Sequence, residues 1–459
     1  MPASQLEDRL PRTLGLWSAA AVLVGTTIGS GIFRVPSVVA KDLGMPSATP
    51  MLLIWVLGGL VTLTGALSIA ELAAALPRSG GIFAYILEAE GRFWAFLYGW
   101  SELTVIRASA IGGIASVFAT YLGHFVTLNP RQERLVAAAA IAVIAALNYV
   151  GVSYAAVVMN ITTVLKYGAL VGLGLFAFTA GQHAIASPTV TAVTGSAMLT
   201  ALVPVLWTYD GWSNLSFIGG EVRDPGRNMP RALIVGTGAI IAVYLLMNAA
   251  YLWLLPVPAI AADERVAATA AAHIPMFGAA GAAIVSGIVM VSCFGSVNGS
   301  LMTGPRVFFA MSDRGLLFPA VARVSPRFQT PSVAIAVSAT LGIAYVLQNS
   351  FAQLADRFVL GTWPFYALAV LAVYILRRRQ PDLPRPYRTL GYPVTPALFL
   401  LASLGMMANA IATNPKDNVV TFGIIGAGVP AYALWRWYER RGERGERGER
   451  GERGERGSR

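Results

Sequence analysis

The sequence predicts an all-α integral membrane protein of about twelve transmembrane helices, and three observations carry that reading. Of 459 residues, 56% are hydrophobic and only 12% charged, where a soluble domain carries roughly 25% charged residues. The charges cluster between long apolar runs instead of spreading along the chain. Many of those runs reach the about 20 apolar residues that a bilayer span needs.

Taken in order, the apolar segments lie near 14–40, 48–76, 92–122, 133–151, 155–180 and 197–220. A second set follows near 230–255, 275–311, 331–347, 355–376, 392–413 and 418–437. The third and eighth are long enough to be tilted or to hold an extra short helix. Met1–Leu14 is polar and of mixed charge, and the apolar stretch after it exceeds a signal h-region, so residues 1–13 read as a cytoplasmic segment. From Gly442 the chain repeats Gly-Glu-Arg without proline. That composition predicts a disordered, solvated tail over 438–459 and not a collagen helix.

Loop charge predicts the orientation. Connections after the odd-numbered segments carry Lys41, Arg131, Arg134, Arg265, Arg357 and Lys416, six in all. The other side carries fifteen, among them Arg223, Arg227, Arg231 and Arg377 to Arg379. Both termini are therefore expected in the cytoplasm, with the protein in the cytoplasmic (inner) membrane and lipid as its solvent. The formal charge of +11 does not point to nucleic acid, because the basic groups flank lipid-spanning segments. The single cysteine, Cys293, excludes an internal disulfide. His124, His183 and His273 lie at or near outer helix ends, and no metal spacing or phosphate loop is present, so no cofactor and no metal is expected.

Two segments carry polar chemistry at mid-membrane depth. In the first, Gly25-Thr-Thr-Ile-Gly-Ser-Gly-Ile-Phe33 places three glycines and three hydroxyls in the middle of a span. Backbone left unpaired in lipid survives only where it faces a cavity or a ligand. A half-helix restarting near Gly31 would offer free N–H groups and a positive dipole end, which suits a carboxylate. Close packing of small residues is the plainer reading of the same stretch. In the sixth segment, Asp210, Gly211, Ser213 and Asn214 interrupt an apolar and aromatic helix, and an ionisable residue at that depth is a functional candidate. Breaks in corresponding positions of two halves point to a transport site.

Four stretches, taken together, resemble the amino-acid permeases of the APC superfamily, and within it the L-type amino-acid transporter branch. They are Gly25–Phe33, Glu71–Gly81, Gly220–Arg231 and Phe294–Ser300, in the family's order along the chain. The resemblance implies a LeuT-like fold, with residues 14–180 and 197–376 as inverted repeats of five helices, two further helices over 392–437, and helices 1 and 6 unwound at mid-membrane. It also implies a secondary carrier of α-amino acids working by alternating access, and sodium-independent exchange. The backbone amides of Ser30 and Gly31 would then hold the substrate carboxylate, and carbonyls near Thr27, Trp207 and Asp210 its ammonium group. Trp207 and Tyr209 would close over the ligand or shape its pocket. Lys166, inside the fifth segment, would replace a sodium ion, donating to carbonyls near Gly25 and to Ser292 or Ser296. The loop His124–Glu133 holds no cysteine, so a stand-alone prokaryotic-type carrier is expected, without a disulfide-linked heavy chain.

Other charges within the spans leave alternatives open. Arg34 attracts carboxylates or pairs with an acid. Glu102 and Arg107 are five apart, poorly placed to pair along one helix face. Asp210, where the L-type pattern has a small residue, suits cationic substrates, a coupling proton or a basic partner, and Glu102 is a second coupling candidate. Proton-coupled symport and a polyamine or organic-cation permease thus stand as alternatives. The Arg223–Arg231 run reads as a cytoplasmic structural element against Glu71 and Arg78. An enzyme would need a catalytic cluster near one interface, and a sensor a soluble domain; the sequence shows neither.

Overall fold

The computed structural model describes residues 12, 14–44, 48–77, 80–150, 165–178, 193–217, 219–278, 280–317, 320, 321, 323, 325–328 and 330–439. The expected disordered tail, apart from Tyr438 and Glu439, and most of the amino-terminal segment lie outside this range, as do His183 and Arg78. Among the described residues every regular element is helical apart from one isolated parallel bridge between Leu14 and Val222.

The first span is bent. α1 (Leu16–Thr27) and α2 (Gly31–Leu43) meet at 46°. α3 (Ala48–Ala75), α4 (Gly81–Ala89), α5 (Arg92–Leu122), α6 (Pro130–Val150) and α7 (Leu165–Phe178) follow. The sixth span is split into α8 (Gly195–Tyr209) and α9 (Asn214–Phe217). Next come α10 (Pro225–Leu254), the short α11 (Val257–Ala262) and α12 (Val266–Ala272), and α13 (Ala280–Asp313). α14 (Ser332–Gln348), α15 (Phe351–Arg379), α16 (Val394–Thr413) and α17 (Pro415–Glu439) close the described chain. Eight of these helices are long and apolar enough to cross a membrane, α1 with α2 makes a ninth, and α7, α8 and α14 are shorter apolar helices. In order, they answer to the twelve segments read from the sequence.

Burial separates the centre from the rim. The apolar windows of α5 and α15 are each 67% buried within the protein, those of α16 and α17 only 28% and 22%. α5 and α15 are therefore central, while α16 turns Leu398, Leu401 and Leu404 outward, where lipid is their solvent. α8 packs on α2 and α3, α10 on α1 and α3, and α13 on α5. α15 starts at a capping box in which Ser350 and Gln353 satisfy each other's amides.

Three details differ from the sequence reading, and one open point is decided. α13 is one unbroken helix, and the extra short helices fall instead in the presumed loops, as α4, α11 and α12. Within α5, Glu102–Ile106 forms a π turn. A π turn bonds residue i to i+5, so Glu102 and Arg107 come onto one face and form a buried ion pair. Glu71 does not meet the Arg223–Arg231 run. It takes two hydrogen bonds from Arg377 (2.8 and 2.7 Å) and one from the Thr389 amide (2.7 Å), because the α15–α16 linker folds back across the end of α3. Arg34, for which two roles stood open, is paired with Glu264 at 2.6 Å.

Candidate functional site

The break between α1 and α2 follows from local chemistry. The hydroxyl of Thr27 donates to Leu23 O (2.9 Å), and that of Thr26 to Val22 O and Leu23 O (both 3.0 Å), supplying the last turn of α1 with side-chain donors. Across Ile28–Ser30 the chain leaves the helix and restarts at Gly31, where Ser30 provides no side-chain cap. The amides of Gly29, Ser30 and Gly31 make no hydrogen bond among the described residues. The carbonyls at the end of α1, by contrast, are engaged. Gly25 O accepts from Lys166 Nζ at 2.6 Å, and Thr27 O from the Tyr244 hydroxyl at 3.1 Å.

The second break lies against the first. A Cβ on Gly31 would stand 2.5 Å from Thr208 Oγ1 and 2.8 Å from Thr208 Cα, so only glycine permits this approach of α2 to α8. Gly211, at φ +114°, holds a conformation that other residues rarely adopt, and a Cβ there would meet Thr27 Cα at 2.8 Å. The same Tyr244 hydroxyl lies 2.9 Å from Thr208 O, so one proton from α10 serves the carbonyl ends of both broken helices.

Between the breaks lies a cavity of about 90 Å³. Its walls are the Gly25–Gly31 segment, Ala110 and Ile114 of α5, Trp207, Thr208, Asp210, Gly211 and Asn214, Ser296 to Thr303 of α13, and Phe358. Trp207 stands edge-on to Phe358 (ring centroids 4.9 Å apart) and to Phe351 (5.9 Å), closing one side. Asp210 ends α8. Its Oδ1 accepts from the Tyr366 hydroxyl at 2.7 Å, and Tyr366 is in turn 2.7 Å from Ser213 Oγ. On another side, Arg107 reaches Ser300 Oγ at 3.0 Å, so the Glu102–Arg107 pair is linked to a wall residue.

Of the residues singled out in the sequence, Gly25, Thr27, Ser30, Gly31, Trp207, Asp210 and Ser296 line this cavity. Lys166 stands behind it on Gly25 O. Tyr209 does not line it. Next along the helix from Thr208, it turns away and donates to Trp55 O at 3.0 Å, packed against Trp55 and Tyr244. Lys166 forms no bond to Ser292 or Ser296, since the ammonium is taken up by α1; both serine hydroxyls are buried without a hydrogen bond. Glu102 is buried against Arg107 and does not face the cavity. Tyr244 and Tyr366 were missed, because a tyrosine in an apolar helix carries no sign of where its hydroxyl goes. Among the described residues no group of three or more His, Cys, Asp or Glu is placed to hold a metal ion.

Comparison with known proteins identifies the family. The family described as amino acid permease matches residues 14–434. The serine/threonine exchanger SteT of Bacillus subtilis is 30% identical over 93% of this chain and 97% of its own length. The human b(0,+)-type amino acid transporter 1 is 31% identical over 88% of this chain and 84% of its own. The human cystine/glutamate transporter is 29% identical over 96% and 88%.

Proposed function

The chain belongs to the amino acid permease family, and on that footing we propose that it exchanges small α-amino acids across the cytoplasmic membrane, without sodium, by alternating access to the cavity between its two broken spans. The observation that carries this reading is the run of unpaired amides at Gly29, Ser30 and Gly31, in the middle of a span and on a cavity wall. Amides of Ser30 and Gly31 bind the carboxylate. Carbonyls of Thr27, Trp207 and Asp210 use their second lone pairs for the ammonium group. Trp207 covers the ligand. Lys166 on Gly25 O takes the place of a sodium ion.

Size supports a small substrate. A cavity of about 90 Å³ favours a compact substrate such as alanine, serine or threonine. The name of one relative, a serine/threonine exchanger, agrees. Residues 14–180 and 197–376 form the two repeats in this reading, with 392–437 outside them. The excess of basic loop residues on one side supports cytoplasmic termini. Cys293, the only cysteine, is buried, which supports a carrier with no disulfide-linked heavy chain.

One observation favours a second reading. Asp210 is a half-buried acid whose Oδ1 accepts from the Tyr366 hydroxyl, itself bonded to Ser213 Oγ, with the Glu102–Arg107 pair within electrostatic reach. Such an acid suits proton-coupled symport. The deciding experiment is uptake of labelled serine, alanine and leucine into proteoliposomes, empty or preloaded with unlabelled amino acid, without sodium. Uptake that requires preloading is expected. Uptake into empty vesicles driven by an inward pH gradient would replace exchange by symport. No uptake, with polyamine transport instead, would remove the amino-acid assignment.

A further inference from the structure

Where the start of α10 meets the α15–α16 linker, a second cavity of about 500 Å³ opens. Pro225, Pro230 and Pro386 form stiff walls without N–H donors, and Arg227, Arg231 and Tyr387 supply polar groups. It lies at the end of a membrane-spanning helix, in the Gly220–Arg231 stretch to which the transport reading gives no role.

Several arginines elsewhere on this side are engaged. Arg377 and Arg385 meet Glu71, Arg379 meets Ala89 O, and Arg92 meets Glu439. The guanidinium groups of Arg227 and Arg231 make no hydrogen bond or ion pair among the described residues, although their spacing of four puts them on one side of α10. Asp224, the residue before α10, is held at φ +44° and provides no side-chain cap. It lines the cavity instead, so the lining carries a net single positive charge. The Tyr387 hydroxyl is buried without a hydrogen bond, the Leu390 amide being near it but outside bonding geometry.

We propose that this cavity binds the headgroup of an anionic phospholipid from the adjacent leaflet. One phosphodiester anion matches the net charge of the lining. Two guanidinium groups and the Tyr387 hydroxyl donate to its oxygens, and the Asp224 carboxylate accepts from headgroup hydroxyls. A headgroup that is both anionic and hydroxylated is that of phosphatidylglycerol. Basic pockets at the cytoplasmic ends of spans bind such lipids through the same chemistry. The proposal draws on the transport reading only in taking this face as cytoplasmic. The helix held in this way is also the one that carries Tyr244 to both breaks.

The test uses the full chain purified in neutral detergent. Thermal melting is followed while short-chain phosphatidylglycerol, phosphatidylcholine of the same chain length, or inorganic phosphate is titrated. Phosphatidylglycerol should raise the melting temperature saturably and phosphatidylcholine should not. In Arg227→Gln/Arg231→Gln the lipid should bind about thirtyfold more weakly, the equivalent of about 1 kcal/mol per arginine. Arg131→Gln, assigned to the opposite side, should respond like wild type, and Tyr387→Phe should lose part of the response. If the double glutamine variant does not fold, Tyr387→Phe and Arg227→Gln alone still decide, through the weaker binding each must show. An undiminished response in the arginine variants overturns the proposal, as does an equal response to phosphatidylcholine. An equal response to inorganic phosphate at the same concentration overturns the lipid assignment. No amino acid is present, so loss of exchange with an intact lipid response would refute the transport reading alone.

Discussion

Replacing Tyr244 by phenylalanine removes one oxygen atom from the wall behind the cavity and leaves its aromatic packing on Trp55 and Tyr209 in place. That oxygen is fully buried and stands 3.1 Å from Thr27 O and 2.9 Å from Thr208 O. Both carbonyls close broken helices and have no backbone donor. One proton cannot serve both at the same instant, so the variant loses one hydrogen bond and not two. A buried carbonyl left without a donor costs about 1–3 kcal/mol. If the bond holds the two breaks in the arrangement that binds substrate, that cost appears as a rise in KM of about 5- to 150-fold. The assay is amino-acid exchange in proteoliposomes, with Tyr209→Phe as the control. The control loses a comparable bond, to Trp55 O, on the side away from the cavity. It should lower the melting temperature and leave KM unchanged. The same pattern in Tyr244→Phe, a lower melting temperature with unchanged KM, would refute the reasoning and reduce Tyr244 to a packing residue.

Three further outcomes follow from named groups. Lys166→Ala removes a charged donor from Gly25 O, and the loss of about 1.5–3 kcal/mol for such a bond should slow exchange by at least tenfold. Tens of millimolar sodium, compared with choline, should restore part of the rate, and no sodium response would remove the account of Lys166 as a cation substitute. Asp210→Asn keeps the shape and removes the charge, so competition by lysine or arginine should fall more than competition by serine. Equal losses would rule out charge recognition at that position. Glu90, in the turn between α4 and α5, has both carboxylate oxygens buried without a hydrogen bond. Burial pushes its pKa up to about 8 against the pull of its own amide and of Arg379. Its folded value lies above the unfolded one, so the folded state holds the proton, and stability should fall as pH rises from about 5 to 8. Melting of Glu90→Gln over that range should be flatter than wild type; an equal slope would assign the pH dependence elsewhere.

The two breaks were legible because glycine and hydroxyl residues in an apolar run are a local signal, and helix interruption is a local event. Lys166 was legible for a similar reason, since a charge within a span needs an acceptor. What the sequence did not disclose is which face of each helix turns inward. Thr208 and Tyr209 are adjacent, and about 100° of helix rotation decides that the first meets Gly31 while the second meets Trp55. Glu102 and Arg107 illustrate a different limit. Their spacing argues against pairing on an α-helix, and only the π turn, which has no recognisable local signature here, brings them together. Glu71 was assigned to the wrong partner because the α15–α16 linker, where the sequence had placed no structure, folds back onto α3.

The distribution of unpaired groups around the cavity has a direction. Gly25 O and Gly211 O have donors in Lys166 and Thr26, while Thr27 O and Thr208 O share the single Tyr244 proton. Among the described residues the amides of Gly29, Ser30 and Gly31 have no acceptor. These amides sit at the amino-terminal end of α2, where the helix dipole adds partial positive charge. An anionic acceptor there gains three unpaired donors, while an ammonium group meets carbonyls that are in part already hydrogen-bonded. Side-chain identity enters neither interaction, because every group named is main chain. The remaining walls are Ala110 and Ile114, the small residues of α13, Phe358 and Asp210. Asp210 alone among them carries an ionisable group, so Asp210→Asn is the variant that tests whether the charge of the substrate side chain is sensed here.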